Sequence, residues 1–286
     1  MIWPAPAKLN LFLHVVGRRS DGYHLLQTVF QFLDYGDELS FRVTGDGRIT
    51  RTHELPGAPP EADLTLRAAR LLRQRTGCAK GAEIGLTKRV PLGAGLGGGS
   101  SDAATTLLAL NRLWGAGLTV PDLAALGLKL GADVPVFVHG RAAWAEGIGE
   151  VLTPVDMPEH RYVVVVPPVQ VSTADVYAAF AKESRLTPYT LPRTIRDLRE
   201  GFGHNDLEHI VRERYRPVAR AFELLAPHGS PRLTGSGAAV FLRTPDAEHG
   251  RQILAGLPPE FTGFVARGLN RHPLIEGQDT RDEIRG

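Results

Sequence analysis

A single cysteine, Cys78, stands in this chain of 286 residues, so no intramolecular disulfide can form and no Cys/His spacing describes a zinc site. No apolar run reaches the length of a membrane span. The opening segment MIWPAPAKLN has no basic stretch followed by a long apolar one, so no signal peptide is expected. Excess charge is scarce too: the formal net charge is +2 with a pI near 8.8, and the basic residues, nearly all arginine, are scattered. A surface that tracks nucleic-acid phosphates shows clustered Lys and Arg, and none is present. Repeats and low-complexity segments are also missing. The expectation is a reduced, cytoplasmic protein with no nucleic-acid and no membrane partner.

What is present is 43% hydrophobic and 22% charged, the balance of a globular protein with room for one large domain or two ordinary ones. From Lys8 to Val16 the pattern alternates, with Leu9, Leu11, Leu13 and Val15 on one face and Lys8 and Asn10 on the other, which predicts a strand. GRRSDGYH supplies a turn, TVFQFLD a partner strand and DELSFRVTGDG a continuation of the sheet. ADLTLRAARLLRQRTG has helical spacing and ends at Gly77. AEIGLTKRV is a strand that leads into VPLGAGLGGGSSDAA, and SSDAATTLLALNRLW is a helix with Ser100 or Ser101 as N-cap. VPDLAALGLKLG is a further helix, and EGIGEVLTPVDMPEH reads as a loop. The character then restarts: RYVVVVPP is a buried strand and STADVYAAF a helix. One or two helices follow over NDLEHIVRERYRPVARAFELLAPHG, broken near Pro217. RLTGSGAAVFLR reads as strand, glycine turn and strand, DAEHGRQILAGL as a helix and GFVARGLN as a last strand, with a polar, loose tail from Gly277. The pattern predicts two α+β halves that meet near residue 150.

Residues 93–99 hold Gly93, Gly95, Gly97, Gly98 and Gly99, broken only by Ala94 and Leu96. Glycine loses the most backbone freedom on folding, so this density needs a cause. A flexible linker seldom lies between a good strand and a helix. Gly93, Gly95 and Gly98 match G-x-G-x-x-G, but the strand and acidic residue that complete a dinucleotide fingerprint do not follow. A Walker P-loop fails because no Gly-Lys-Ser/Thr follows. A phosphate cradle of another kind, built from successive N–H groups and a helix N-terminus, fits both sequence and context.

PLGAGLGGGSSDAA resembles the central motif of the GHMP kinases: Pro, three residues, Gly-Leu-Gly, then small residues. PAKLNLFL and RLTGSGAAVF stand where that superfamily has its other two motifs, so three motifs in order span most of the chain. Three longer segments, PAKLNLFLHVVGRRSDGYHLLQTVFQFLDYGDEL, LGADVPVFVHGRAAWAEGIGEVLTP and PRLTGSGAAVF, resemble the branch that phosphorylates a cytidine diphosphate derivative of methylerythritol. The resemblance implies a two-domain α+β fold. An N-terminal ATP-binding domain over 1–152, like a ribosomal-protein-like domain, would meet a C-terminal α/β sandwich domain over 153–286 with the active site in the cleft between. It implies ATP as phosphoryl donor, Mg²⁺ with no metal ligand assigned, a small-molecule substrate, and a monomer or weak homodimer. The same fold with homoserine or mevalonate as substrate, and a non-catalytic nucleotide- or RNA-binding module, are the competing readings.

The implied catalytic pair is Lys8 and Asp133. Alone, Asp133 reads as a helix cap ahead of Pro135, and Lys8 as a solvated residue on a polar strand face. As a pair, Asp133 would take the acceptor hydroxyl proton and Lys8 would keep that carboxylate ionised. For ATP the resemblance implies Pro91, Leu92, Gly93, Ala94, Gly95, Leu96, Gly97, Gly98, Gly99, Ser100 and Ser101 around the phosphates, with Ser101 reaching the metal or the β-phosphate. Asp63 and Leu64 would flank adenine, with Lys88 near it. For the substrate it implies Asn10, Tyr23, His24, Thr173 and Tyr177, the two tyrosines sandwiching cytosine and His24 reading its edge.

Overall fold

The computed structural model describes residues 1–53, 59–183, 186 and 203–274; the tail from Gly277 lies outside them. Two long strands form the frame, β1 (Trp3–Arg18) and β2 (His24–Thr44), paired antiparallel from Trp3↔Leu39 to Arg18↔His24. Where the pattern predicts two short strands after the turn, the chain keeps one strand of 21 residues. Gly36 permits this close pairing, since a Cβ there would lie 2.3 Å from the Ala5 carbonyl oxygen. β3 (Ile49–Arg51) runs parallel to β4 (Gly81–Thr87), which pairs with β2.

Four helices cover this half: α1 (Leu64–Thr76), α2 (Gly98–Trp114), α3 (Val120–Leu128) and α4 (Val134–His139). They bury Leu66, Leu72, Leu107, Leu110 and Phe137 against Phe32 and Ile84 of the sheet. The segment expected as a loop holds a hairpin, β5 (Ala143–Glu146) with β6 (Val151–Pro154), turned by Gly147 and Gly149 at positive φ. β5 also pairs with β2, but most of β6 faces solvent, so the segment lacks the alternation of a half-buried strand.

The second half is built on β7 (Arg161–Val166), β8 (Arg232–Leu233), β9 (Val240–Thr244) and β10 (Thr262–Leu269), in the order β10-β7-β9-β8. Helix α5 (Thr173–Glu183) and the helices Glu208–Arg214, Arg216–Leu225 and Ala247–Ala255 pack on it. The break between the middle two falls at Tyr215, just before Pro217. Their core joins Val163, Val165, Phe180, Ile210, Phe222 and Leu242, with Leu13 and Val15 of β1 reaching into it. β10 meets β2 through Gly268↔Leu33 and Leu269↔Phe32, so one sheet runs through both halves. A third apolar cluster fills the junction, where Ala7, Leu9 and Leu33 meet Tyr162, Val164 and Phe241; Ala94 and Leu96 of the glycine loop belong to it.

Asp63 is the N-cap of α1. Its Oδ1 accepts from the Thr65 backbone N–H at 2.8 Å and from the Thr65 hydroxyl at 2.7 Å, and its Oδ2 pairs with Arg51 Nε at 2.8 Å. Both partners of that ion pair are buried. Removing one member of a buried pair costs about 3–5 kcal/mol, and losing a cap about 1 kcal/mol. Asp63→Ala is therefore expected to lower the melting temperature sharply, while Asp63→Asn, which can still cap, loses less. ATP affinity of the folded Asp63→Asn protein stays near wild type if the carboxylate serves α1 and Arg51; a large loss of affinity would instead put it on the base.

Candidate active site

Lys8 lies in the middle of β1 and is only 3% exposed, so the solvated polar face predicted for it does not exist. A buried ammonium must find acceptors for its protons. Its Nζ donates to Asn10 Oδ1 at 2.5 Å and to the Gly95 carbonyl at 3.0 Å, and stands 3.3 Å from Asp133 Oδ2. The Phe30 ring lies beside it, 5.3 Å from ring centre to Nζ. Asn10 is in turn fixed: its Nδ2 donates to the Thr28 hydroxyl and its backbone N–H to the Thr234 hydroxyl, both at 2.9 Å.

Asp133 occupies the N-cap position of α4 but does not cap it. Its backbone is helical, at φ −81° and ψ −14°, and its side chain makes no cap hydrogen bond. A capping Asp needs extended backbone and an oxygen turned to the N2 or N3 amide. Here the carboxylate turns to Lys8 and is one-third exposed. The arrangement is a carboxylate at a cavity wall with an ammonium behind it.

The glycine loop alternates. Ala94, Leu96 and Gly98 are buried, whereas Gly93 is exposed and Gly95 and Gly97 are half-buried, these three with φ of +66°, +75° and +70°. The loop's carbonyls turn into the protein: that of Ala94 accepts from the Ala239 N–H, that of Gly95 from Lys8, that of Leu96 from the Lys8 N–H and that of Gly97 from the Ser101 N–H. Among the described residues no protein group accepts from the Gly93, Gly95 or Gly97 N–H groups. A run of unspent N–H groups that ends in a helix N-terminus is an anion site. Helix α2 begins at Gly98 with Gly97 as N-cap, so neither Ser100 nor Ser101 is the cap expected from the sequence; the Ser101 amide is already bonded within the helix. The Ser101 hydroxyl is buried with no hydrogen-bond partner.

The loop's glycines also serve neighbours inside the protein. A Cβ on Gly97 would lie 3.0 Å from Lys8 Cε and Cγ, and one on Gly95 would lie 2.4 Å from the Thr234 carbonyl oxygen. A Cβ on Gly99 would lie 3.3 Å from Leu64 Cδ1 and one on Gly98 2.9 Å from Lys88 Nζ, which puts Leu64 and Lys88 beside the start of α2. Pro91 and Leu92 lead into the loop, and Leu92 is exposed. Lys88 is held between two carboxylates, Asp37 Oδ2 and, at 2.8 Å, Asp102 Oδ2. Burial raises Asp102 to about 7 against the pull of Lys88, with Asp37 adding to the rise. Burial lowers Lys88, but the two carboxylates outweigh it and its pKa stands above the ordinary lysine value.

One cavity of about 780 Å³ gathers Lys8, Asn10, Tyr23, His24, Gly95, Gly97, Asp133, Thr173 and Tyr177. The sequence-predicted residues from Asp63, Leu64 and Lys88 to Pro91–Ala94, Leu96 and Gly98–Ser101 are not in its wall; they surround the loop and the start of α2. His24 stacks directly on Tyr177, with ring centres 5.1 Å apart and planes 24° from parallel, whereas Tyr23 is 61% exposed. Burial lowers His24, and Arg18 lowers it further, which favours the neutral imidazole. Burial, then the Asp133 charge, raises the Tyr177 phenol above its ordinary value. Sequence reading missed Ser236, whose hydroxyl bonds that of Thr173 at 2.7 Å, and Arg18, which lines the same wall. The signal for Ser236 was its place in the glycine turn of RLTGSGAAVF.

The sequence profile described as the GHMP kinases N terminal domain matches residues 63–141. The chain is similar to a 4-diphosphocytidyl-2-C-methyl-D-erythritol kinase of Nitrosococcus oceani, 52% identical over 276 residues that cover 96% of this chain and 97% of that one. It is 57% identical over 273 residues to the kinase of the same name from Alkalilimnicola ehrlichii, covering 96% and 92%. A solved 4-(cytidine 5'-diphospho)-2C-methyl-D-erythritol kinase superposes with a TM-score of 0.82 at 34% identity, covering 94% of this chain and 99% of that one. A mevalonate kinase shares the fold, with a TM-score of 0.67 at 15% identity over 95% of this chain and 100% of that one.

Two outcomes follow from this geometry. In Gly97→Ala the new methyl presses on Lys8 at a left-handed φ, so turnover is expected to fall about tenfold or more as the ammonium shifts. Gly117→Ala, at φ +71° with nothing within 4 Å, carries the same strain without Lys8 and should lose only about 1 kcal/mol of stability with turnover intact. Asp102 is the second. Its folded pKa of about 7 exceeds the ordinary 3.8, so its protonation stabilises the fold below about pH 4, and that contribution is lost as pH rises through 7. Asp102→Asn still accepts from Lys88 but adds no second negative charge. Denaturant unfolding is expected to show Asp102→Asn gaining on wild type from pH 5 to pH 8, by about 1.4 kcal/mol per unit of pKa rise abolished. A gap independent of pH would refute it.

Proposed function

The chain belongs to the 4-diphosphocytidyl-2-C-methyl-D-erythritol kinases, a branch of the GHMP kinases, and we propose that it transfers the γ-phosphoryl group of ATP to the 2-hydroxyl of 4-diphosphocytidyl-2-C-methyl-D-erythritol, on the non-mevalonate route to isoprenoids. One observation carries the mechanism: the Lys8–Asp133 pair lies between a loop with unspent N–H groups and a stacked His24–Tyr177 platform, in one cavity. Residues 1–152 would supply the loop and the catalytic pair, and residues 153–286 the Thr173–Tyr177 side of the substrate pocket.

In this reading the phosphates of ATP lie on the Gly93–Gly99 amides, with the positive end of α2 behind them. The adenosine extends toward Leu64 and Lys88. The cytosine stacks against Tyr177 and Tyr23, and neutral His24 offers one donor and one acceptor to its edge. Asp133 takes the proton of the acceptor hydroxyl as its oxygen bonds to the γ-phosphorus, and the bond to the bridging oxygen of ADP breaks. Lys8 keeps Asp133 ionised and, through the Gly95 carbonyl, holds the phosphate loop in register with it. Among the described residues no group of three His, Cys, Asp or Glu is placed to hold a metal. A Mg²⁺ brought in on the phosphates needs few protein ligands, and the orphaned Ser101 hydroxyl at the start of α2 would meet that need. The ion would neutralise polyphosphate charge.

The mevalonate kinase likeness, at 15% identity, speaks to fold alone. A purely binding module would have no use for a buried ammonium held against a cavity carboxylate. ADP release is expected with 4-diphosphocytidyl-2-C-methyl-D-erythritol, and only background with ATP alone, homoserine or mevalonate. Asp133→Asn should cut turnover by about 10²-fold or more while both ligands still bind. Asp133 makes no cap hydrogen bond but is the counter-charge of the buried Lys8, so the variant's melting temperature is expected to fall, and turnover is read at a temperature where the variant stays folded. Near-normal turnover in Asp133→Asn would overturn the mechanism, and ADP release driven by homoserine or mevalonate would overturn the substrate.

A further inference from the structure

The glycine loop is gripped at both ends by one carboxylate that lies outside the cavity wall. Asp37 sits on β2 with its side chain buried. Backbone pairing between β2 and β4 ends at Glu38↔Thr87, and the chain then leaves the sheet for the loop. Asp37, next to Glu38 on β2, takes over with its side chain. Its Oδ1 accepts from the Arg89 N–H at 2.5 Å and from the Val90 N–H at 2.7 Å. Its Oδ2 accepts from Lys88 Nζ, which reaches on to Asp102 Oδ2, near the start of α2, at 2.8 Å. The same stretch presses on the first residue of α2, since a Cβ on Gly98 would lie 2.9 Å from both Lys88 Nζ and Val90 Cγ1. The loop's middle is fixed by other partners, Ala94 by Ala239, and Gly95 and Leu96 by Lys8.

We propose that Asp37 is a positioning residue for ATP, setting the entry of the loop against the N-terminus of α2 so that the amides of both meet the phosphates together. The inference rests on the reading of this loop as the phosphate site. The two oxygens of Asp37 do different work. One accepts from two backbone N–H groups, which a neutral amide oxygen can also do; the other holds an ammonium, which an amide nitrogen cannot. In Asp37→Asn the entry amides therefore keep their acceptor, while Nδ2 confronts Lys88 Nζ donor to donor and displaces the ammonium packed against Gly98. Lys88 still has Asp102, so no buried charge is left unpaired and the variant should fold. Relief from a second carboxylate also favours ionised Asp102 beside Lys88. Charge alone predicts the opposite sign for ATP, because removing a negative group near a polyphosphate site would tighten binding. Weaker binding is thus the mark of geometry.

The test is calorimetry on the full chain with a non-hydrolysable ATP analogue and, separately, with the cytidine substrate, beside steady-state turnover. Asp37→Asn is expected to weaken the ATP analogue about tenfold and to leave the substrate's affinity within about twofold of wild type. Turnover at saturating ATP should stay close to wild type, because Lys8 still aligns the loop's middle with Asp133. Asp37→Ala, which also strands the Arg89 and Val90 amides, should lose more ATP affinity than Asp37→Asn. Melting temperatures are measured for both variants, and binding is read where each is folded. Unchanged ATP affinity in folded Asp37→Asn, or an equal loss for both ligands, would overturn the proposal and leave Asp37 a strut of the fold. Failure of the wild-type chain to bind the ATP analogue would overturn the phosphate-site reading itself, and this inference with it.

Discussion

The site depends on one buried ammonium. Lys8 has left water almost completely, and a charge in that position is tolerable only if hydrogen-bond acceptors and a counter-charge surround it. Its three partners come from three parts of the fold: Asn10 from β1, the Gly95 carbonyl from the phosphate loop, and Asp133 from the turn into α4. Each is held by something else. Thr28 and Thr234 orient Asn10, Thr234 also approaches the Gly95 carbonyl at 3.5 Å, and Phe30 lies beside the ammonium. Solvating this charge thus fixes the loop and the carboxylate relative to each other, and those are the two surfaces that phosphoryl transfer must align.

The glycine density of residues 93–99 has two physical sources. Gly93, Gly95 and Gly97 adopt left-handed backbone, with the Gly95 and Gly97 carbonyls bonded inside the protein. Inward neighbours leave no room for a Cβ, whether at Lys8, at the Thr234 backbone or at Lys88. Ala94 and Leu96 then key the loop into the cluster between the two halves. The loop is therefore rigid for reasons internal to the protein. Phosphate binding as proposed would use amides already in place, with little ordering cost left to offset.

How much of this was legible in the sequence depended on the kind of signal. The alternation from Lys8 to Val16, the helical spacing of α1 and α2 and the two glycine-rich motifs are local patterns, and each found its element. Burial of Lys8 was not local. Its polar strand face is covered by the loop and by α4, segments some 90 and 130 residues along the chain. Asp133 and Asp63 illustrate the same limit in opposite directions. Both precede helices and both suit a cap, yet Asp63 is spent on α1 and Arg51 while Asp133 ignores its helix for Lys8. Cap propensity is identical for the two, and only the charge that the fold brings alongside separates them. The hairpin Ala143–Pro154 escaped for a different reason, because a mostly exposed edge strand carries no buried face to betray it.

The two ligand halves of the cleft are also joined mechanically. The loop's Ala94 carbonyl accepts from Ala239, just past the turn Gly235–Gly237, and Ser236 within that turn bonds Thr173 at the start of α5. One turn along α5, Tyr177 meets His24, so the platform proposed for cytosine is already stacked in the free protein. Stacking two rings on each other in the free protein buries surface that cytosine would otherwise have to cover. That self-stacking reduces the net gain on binding, but it keeps the polar edge of His24 in a fixed place. In the proposed complex, discrimination among bases would rest on that edge, because every base offers an aromatic face and only some match its donor and acceptor. As the proposed cytosine platform, this arrangement would trade stacking energy for a fixed edge, and the Ser236–Thr173 bond would tie selection to the loop proposed to hold the phosphates.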